Sequence, residues 1–492
     1  MRGVGMARPQ AGAGGGVSSD LAFRRWTGDE GRVSAAIGID FGTTNSALAW
    51  AERADAVAHV ATFDVAGSPA AGALTGPAAR AGTTFRSILF FAAERERVRG
   101  KPEAWAGPAA IEAYLANDGD GRLMQSMKTF LASQHVRGTN VFGYDFALEA
   151  LIALIIRALW LASVGQVPGL SATTAGAAGL PAIVAGRPVR FANSDGPEDD
   201  AYAEGRLRAA YAAAGFREVE FVLEPVAAAL HYEAGLERDE TVLVGDFGGG
   251  TSDFCLLRVG PSYRAGGGAE VGDRGRILGT RGVGVAGDNL DARIVQHLVA
   301  PALGAGSMYR SDMGNVLEIP RGIFDKLRRW NELSFLKTRQ NMEMLLGYLR
   351  AAREPKKIGA LVHLVEHNLG YRLFRAVEAA KVSLSQAPEA ELAFDDEGFA
   401  VQQRFTRADF EGWIAPELGA LGGTVDALLA DAGMGPEAVD TVFLTGGTGQ
   451  VPAVRRLFAE RFGEHKLRTG QFLTSIASGL ALHARRRDAG RA

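Results

Sequence analysis

The sequence has one cysteine, no surplus of basic residues and no long apolar run, and each absence excludes a class of function. A lone thiol, Cys255, among 492 residues rules out an intrachain disulfide and a cysteine-based metal cluster. Lys and Arg number 53 against 56 Asp and Glu, which argues against general nucleic-acid binding because that needs a basic surplus. The most apolar segment, Ala147 to Val164, contains Glu149 and Arg157 and has helical periodicity, so it predicts a buried helix and no membrane span.

Glycine, by contrast, is abundant, with 64 residues concentrated in the leader and in a few short loops. Residues 1–33 are rich in Gly, Ala and Arg and lack the apolar centre of a signal peptide, so we expect a disordered leader there and a cytoplasmic protein. Beyond the leader, apolar β-type runs alternate with helical patterns. This alternation predicts an α/β architecture.

Two distant segments of the chain resemble each other. Ala36 to Thr44 and Leu243 to Thr251 each read as a strand, an Asp-Phe-Gly and a Gly/Thr turn, and each is followed by a second alternating strand. The two aspartates, Asp40 and Asp246, lie 206 positions apart. That spacing is too long for a short structural repeat and predicts two similar lobes.

The composition of these hairpins is typical of a polyphosphate site. A tight turn without side chains exposes consecutive backbone N–H groups to phosphate oxygens, and glycine also permits positive φ. An aspartate at the strand end can hold Mg²⁺ through its water ligands. A third glycine turn, Gly446 to Gln450, joins a strand to a helix N-terminus, which is a common nucleotide-binding arrangement.

Four segments of the chain resemble those of a known family. The two hairpins, the Leu223 to Leu230 segment (LEPVAAAL) and the Leu444 to Thr448 turn (LTGGT) are similar to the ATPase domain of seventy-kilodalton heat-shock chaperones of the DnaK type. The likeness covers about residues 34 to 486. It implies an α/β actin-like ATPase fold, with a duplicated ribonuclease H-like core in two lobes around a nucleotide cleft. It also implies ATP or ADP and Mg²⁺ as cofactors.

The resemblance assigns roles residue by residue. Asp40 and Asp246 look like the carboxylates that hold Mg²⁺ through water, and Lys128 looks like the lysine that positions the attacking water. Glu224 resembles the cleft glutamate that orients water and metal, and Thr251 and Asp246 are expected to take part in catalysis. The residues similar to the phosphate cradle are Gly42, Thr43, Thr44, Gly248, Gly249, Gly250 and Thr251. Those similar to the adenosine-binding face are Glu378, Lys381, Ser385, Gly446, Gly447 and Thr448.

The sequence also departs from the family. Val382 and Gln450 stand where the chaperones have adenine-side arginines, which predicts weaker nucleotide binding. After Gly479 only 13 residues follow, whereas a peptide-binding β-sandwich needs about 100. We therefore expect a chain of the short bacterial YegD type, with the ATPase domain alone.

The predicted organisation has four parts. Residues 1–33 form the leader, 34–238 lobe I, 239–470 lobe II with a helical insertion at about 302–370, and 471–492 a C-terminal helix returning to lobe I with a tail. Within the insertion, residues 321–357 contain ten basic and four acidic residues. This composition is typical of a helical hairpin with a solvated basic face, and it also suits a docking surface for an acidic partner.

Several functions fit this sequence. The first is a slow chaperone-type ATPase acting in protein folding or quality control, with a client protein or co-chaperone as partner and neither nucleic acid nor membrane. The second is a sugar kinase-type phosphotransferase, which would need a cleft aspartate acting as base toward a substrate hydroxyl. A filament-forming homologue and a nucleotide-sensing module with negligible turnover are further alternatives, and fold resemblance does not separate them.

Overall fold

The computed structural model describes residues 35–52, 57–64, 81–93, 102–117, 119–170, 180–264, 276–328, 333–469 and 474–490. The expected leader at 1–33 lies outside these residues. The strands are β1 (Ala35–Phe41), β2 (Asn45–Glu52), β3 (His59–Val60), β4 (Phe63–Asp64), β5 (Ala81–Gly82), β6 (Phe85–Arg86), β7 (Ile88–Ala92), β8 (Ala104–Ala106), β9 (Gly121–Gln125), β10 (Gly138–Val141), β11 (Tyr144–Ala147), β12 (Ile183–Arg187), β13 (Val219–Leu223), β14 (Glu240–Phe247), β15 (Ser252–Val259), β16 (Ile277–Val283), β17 (Met308–Arg310), β18 (Val316–Glu318), β19 (Glu389–Asp396), β20 (Phe399–Thr406), β21 (Thr441–Thr445) and β22 (Leu467–Thr469).

The α-helices are α1 (Pro108–Ala116), α2 (Leu148–Ser163), α3 (Pro197–Ala214), α4 (Glu224–Glu233), α5 (Pro261–Arg264), α6 (Gly287–Ile294), α7 (Ala300–Ala302), α8 (Arg321–Asp325), α9 (Leu333–Leu336), α10 (Arg339–Ala351), α11 (Pro355–Glu366), α12 (Gly370–Gln386), α13 (Arg407–Trp413), α14 (Ala415–Asp431), α15 (Pro452–Phe462) and α16 (Ser475–Gly490). A π turn, Val295–Val299, joins α6 to α7. Short 3₁₀ helices include Met127–Phe130, Lys326–Arg328 and Gly447–Gln450.

Two mixed sheets organise the described residues, and they share one plan. In the first, β1 pairs antiparallel with β2 and parallel with β12, in the order β13-β12-β1-β2-β3, with β6 also on β2. In the second, β14 pairs antiparallel with β15 and parallel with β21, in the order β16-β15-β14-β21-β22. We call the halves around these sheets lobe I and lobe II. The chain is thus mixed α/β, and the sheets repeat each other as the two similar segments predict.

Helices cover both faces of the first sheet, which explains why β1 is apolar along nearly its whole length. Ile37 and Ile39 belong to the core shared with α2 and α3, while α16 packs on the opposite face. This second contact is close: a Cβ at Gly38 would lie 2.4 Å from the backbone nitrogen of Ala481, and one at Gly479 only 1.7 Å from the carbonyl oxygen of Ala227 in α4. Glycine at these two positions therefore sets how near α16 can approach the sheet and α4.

The segment Leu148–Gln166, comprising α2 and the turn after it, is long and apolar enough by composition to cross a membrane, with a mean hydropathy of 1.9. In this structure 56% of that window is buried, and residues such as Ile152, Ile156 and Trp160 lie in the core of lobe I. A core helix of a globular lobe passes the same composition test, and its burial here fits that interpretation.

The insertion packs onto lobe II through one apolar face. Ile323, Phe324, Leu327, Leu345 and Leu361 all join the lobe II core. Within the insertion, β17 and β18 form a small hairpin, and α10 and α11 pack against each other. The helices thus use an apolar face for packing, which leaves most basic side chains toward solvent.

Candidate functional site

The two glycine hairpins face each other across the gap between the lobes. A Cβ placed on Gly249 of lobe II would lie 2.3 Å from Oγ1 of Thr44 in lobe I. A Cβ on Gly250 would lie 3.2 Å from the Thr129 methyl group. No side chain can therefore stand at residue 249 while the tips are this close. The glycines at the tips are thus required by contacts across the cleft as well as by contacts within a turn.

Within the first turn, glycine is required by close approach and not by its φ angle. A Cβ on Gly42 would lie 2.1 Å from the carbonyl oxygen of Asn45. Neither Gly42 nor Gly248, Gly249 or Gly250 has φ in the left-handed region, so these tips do not use the positive φ that glycine permits. The third turn does use it: Gly446 has φ of 82° and stands against the carbonyl of Phe247.

Below the hairpins lies a buried ion pair. Nζ of Lys128 lies 2.6 Å from Oε1 of Glu224, and the two side chains are only 7% and 8% exposed. Lys128 belongs to a 3₁₀ helix entered through Ser126, which has φ of 57°, and Glu224 is the first residue of α4, where a carboxylate also suits the helix dipole. Burial would lower the pKa of Lys128, but the charges of Glu224 and Asp40 outweigh it and raise that pKa.

Three aspartates surround this pair. Burial, with the charge of Glu224 added, raises the pKa of Asp40 to about 7 and that of Asp253 to about 7. The same two causes, in the same order, hold the pKa of Asp246 well above its usual range. Asp253 accepts a hydrogen bond from Oγ1 of Thr251 at 3.0 Å and one from the backbone of Arg190 at 3.1 Å. The site therefore concentrates more negative charge than Lys128 can balance.

These residues fit a magnesium ion. Asp40 and Asp246 line the cleft at corresponding strand ends, and their excess negative charge is what a divalent cation neutralises. Among the described residues, Oγ1 of Thr44 has no hydrogen-bond partner although it is buried at the hairpin tip, so it can bond a ligand or an ordered water. Among the residues described, no group of three or more His, Cys, Asp or Glu is arranged as a metal cage. Mg²⁺ would then keep most of its waters, and its chemistry would be charge stabilisation on phosphate oxygens.

The third glycine turn meets helix α12. Nζ of Lys381 lies 2.8 Å from Oδ2 of Asp291 and 3.5 Å from the carbonyl oxygen of Gly287. A Cβ on that glycine would lie 3.1 Å from Oγ1 of Thr448. The sequence-predicted adenosine-side residues thus border the same cleft as the hairpins, and Ser385 and Val382 line it further along α12.

All of the predicted site residues lie around one cleft of about 900 Å³ between the lobes. Those on its lining are Asp40, Gly42, Thr43, Thr44, Lys128, Glu224, Asp246, Gly248, Gly249, Gly250, Thr251, Glu378, Lys381, Ser385, Gly446, Gly447 and Thr448. This volume lies at the upper end of the range for small-molecule sites, which is about 300 to 1,000 Å³.

The lobes also touch across the cleft, where the predicted Glu378 meets two arginines that sequence reasoning did not identify. Nη2 of Arg86 in lobe I lies 2.9 Å from Oε2 of Glu378 in lobe II, and Arg375 reaches the same oxygen at 2.5 Å. Burial alone would raise the pKa of Glu378, but the two arginines lower it. Tyr114 donates a hydrogen bond to the carbonyl oxygen of Asn368 at 2.7 Å. These contacts therefore bridge the two lobes directly.

Asp253 is the clearest residue that the sequence analysis missed. A tight hairpin places it directly opposite Asp246 in the strand register, and counting back from the turn could have found it. Arg86 had no such signal, because β6 meets β2 and the cleft only through tertiary packing.

Comparison with known proteins agrees with this architecture. The family model described as Hsp70 protein matches residues 351–486. Chaperone protein DnaK of Thermus thermophilus is 27% identical over 272 residues, which are 55% of this chain and 35% of the relative. Chaperone protein DnaK of Deinococcus deserti is 26% identical over 476 residues, or 92% of this chain and 59% of the relative. That of Thermosipho melanesiensis is 23% identical over 458 residues, covering 91% and 58%.

The two mixed sheets around a cleft are consistent with the two-lobed architecture expected of Hsp70 ATPase domains. More particularly, the chain is distantly similar to the DnaK chaperones, at about a quarter identity. It spans between about a third and three fifths of the length of these relatives.

Proposed function

We propose that this chain is an actin-like ATPase of the heat-shock chaperone type, which binds ATP with Mg²⁺ in the cleft and hydrolyses it slowly to ADP and phosphate. The observation that carries the proposal is the pair of glycine hairpins facing each other above Lys128, Glu224 and the aspartates. Backbone N–H groups from both lobes can then bond one polyphosphate, and closure excludes water from the remainder of the site.

In this proposal each side chain has a separate task. Lys128 places a positive charge beside the phosphoryl group and orients the attacking water, while Glu224 fixes the position of the Lys128 ammonium. Thr44 and Thr251 add hydroxyl groups at the hairpin tips. Asp40 and Asp246 hold the waters of the metal ion.

Hydrolysis would change the contacts that hold the two hairpins together and so drive opening and closing of the lobes. We place the protein in the cytoplasm, in folding or quality control with a client or co-chaperone. The distant similarity to chaperones supports the role in folding, and the lack of a second thiol to pair with Cys255 supports the cytoplasmic location.

The experiment compares single-turnover ATP hydrolysis and ATP binding in wild type and Lys128→Ala. We expect slow phosphate release by the wild type, a loss of about 100-fold or more in the variant, and ATP affinity kept within a few-fold. Tight ATP binding with no hydrolysis in either protein would contradict an ATPase. It would instead support a nucleotide-sensing module, which the missing arginines at Val382 and Gln450 favour.

A further inference from the structure

Six basic side chains line the cleft, and two of them differ from the other four. The six are Arg86, Lys128, Lys326, Arg328, Arg375 and Lys381. Four of these are paired with a carboxylate, through Glu224, Asp291 or Glu378. Within the described part of the chain, Lys326 and Arg328 have no hydrogen bond or ion pair to offset their charges.

These two residues come from the insertion and are fixed in place by its packing. They flank Leu327 in a 3₁₀ helix, where three successive side chains point in three directions. Leu327 is 1% exposed in the lobe II core, and the helix lies against α6. Lys326 and Arg328 are each half-buried at the cleft wall. Long basic side chains normally extend their charge into water, so half-burial without a carboxylate is a cost that a bound anion would offset.

We propose that the insertion adds an anion subsite to the cleft, in which Lys326 and Arg328 bind a phosphate-type group. This subsite is distinct from the glycine hairpins. A phosphate group has about 1.5 to 2 negative charges and three acceptor oxygens, so it can bond an ammonium and a guanidinium together. Asp325 also borders the cleft but is exposed, so the segment from Asp325 to Arg328 has a positive formal charge.

The cleft volume of about 900 Å³ favours a small ligand over a macromolecule. The phosphate-type group has two chemical sources. It is either a second phosphoryl group on the nucleotide, attached at the ribose, or a free anion bound beside the nucleotide. The first source rests on the proposed function, because it needs a nucleotide in the cleft.

The test uses calorimetric titration of the full chain with four ligands. A non-hydrolysable β,γ-imido analogue of ATP with Mg²⁺ fills the hairpin site, and pyrophosphate is then titrated into that complex. Separately, adenosine 3′-phosphate 5′-triphosphate is compared with ATP. The test variant is Lys326→Gln/Arg328→Gln. The control is Arg321→Gln/Arg339→Gln, which removes the same charge from the same insertion at side chains that are 83% and 93% exposed.

We expect the test variant to lose at least about tenfold in affinity for one probe, through two charge-assisted hydrogen bonds, while the control and the affinity for ATP stay unchanged. A loss confined to the 3′-phosphorylated nucleotide identifies the nucleotide as the source, and a loss confined to pyrophosphate identifies a free anion. The proposed subsite is wrong if the wild type binds the 3′-phosphorylated nucleotide no more tightly than ATP and does not bind pyrophosphate. An equal loss in the test and control variants also overturns it.

Failure of the proposed function is a separate result. If the ATP analogue does not bind at all, the nucleotide proposal is wrong, and pyrophosphate titrated into the free protein still decides the subsite. Thermal melts of both double variants check that each is folded.

Discussion

The Lys128–Glu224 pair should respond asymmetrically to mutation, because its two members have very different surroundings. Lys128→Met removes the ammonium from a cluster that still contains Glu224 and three aspartates. Breaking a buried ion pair from one side typically costs about 3 to 5 kcal/mol of unfolding free energy. Since the cleft admits some water, we expect about 3 kcal/mol for Lys128→Met.

Glu224→Gln acts in the opposite electrostatic sense. Glu224 raises the pKa of each of the three aspartates, so its removal relieves repulsion while Lys128 keeps Asp40 and Asp253 as neighbours. We therefore expect a cost below about 1 kcal/mol, because the lost pair and the relieved repulsion largely offset each other. The double variant should be more stable than Lys128→Met alone.

The assay is urea unfolding at about pH 7.5 with a chelator, so that bound metal does not mask the charges. Tryptophan fluorescence, to which the buried Trp50 and Trp160 of lobe I contribute, follows unfolding, and free energies of unfolding are compared using one common value for their dependence on urea concentration. Lys356→Met, an exposed change of the same kind, should alter stability by less than about 0.5 kcal/mol. Equal costs for Lys128→Met and Glu224→Gln, or a larger cost for the glutamate, would refute the charge balance described here.

Three further outcomes are expected. Gly479→Ala should destabilise the protein by at least about 2 kcal/mol because the added Cβ would overlap the backbone of α4. The control Gly423→Ala, at a position of α14 with open space around it, should be neutral or stabilising. Chemical denaturation compares the two variants, and equal effects would contradict the close approach. Burial raises the pKa of Cys255 to about 12, so a thiol reagent at about pH 8 should label it only after unfolding, and fast labelling of native protein would disprove that burial. Arg86→Ala should raise the pKa of Glu378 and weaken the contact between the lobes. X-ray scattering would detect this as a larger radius of gyration. An unchanged radius would show that other contacts are enough to hold the lobes together.

The hairpins were predictable because their signal is local. Strand alternation, an aspartate at each strand end and a glycine turn fix the direction of the backbone within about ten residues, so Asp40 and Asp246 could be assigned to corresponding positions. The similarity of the two segments then predicted two sheets of one plan.

Features that depend on contacts between residues far apart in the sequence had no such signal. The 2.6 Å approach of Lys128 to Glu224 joins residues 96 positions apart, and the bond from Arg86 to Glu378 joins residues 292 positions apart. Strand and helix periods say which face a residue occupies but not which distant face it meets. The reason for glycine at residue 249 is likewise a contact with Thr44 of the other lobe.

The sequence alone thus determined the α/β class and the repeated hairpins, and its resemblance to a chaperone ATPase pointed to part of the cleft lining. Tertiary structure decided which charges are paired across that cleft and which, as at Lys326 and Arg328, are left for a ligand. The physical reason is that charge pairing and close approach depend on distances between elements, and packing of the apolar faces sets those distances. Local periodicity contains no information about them.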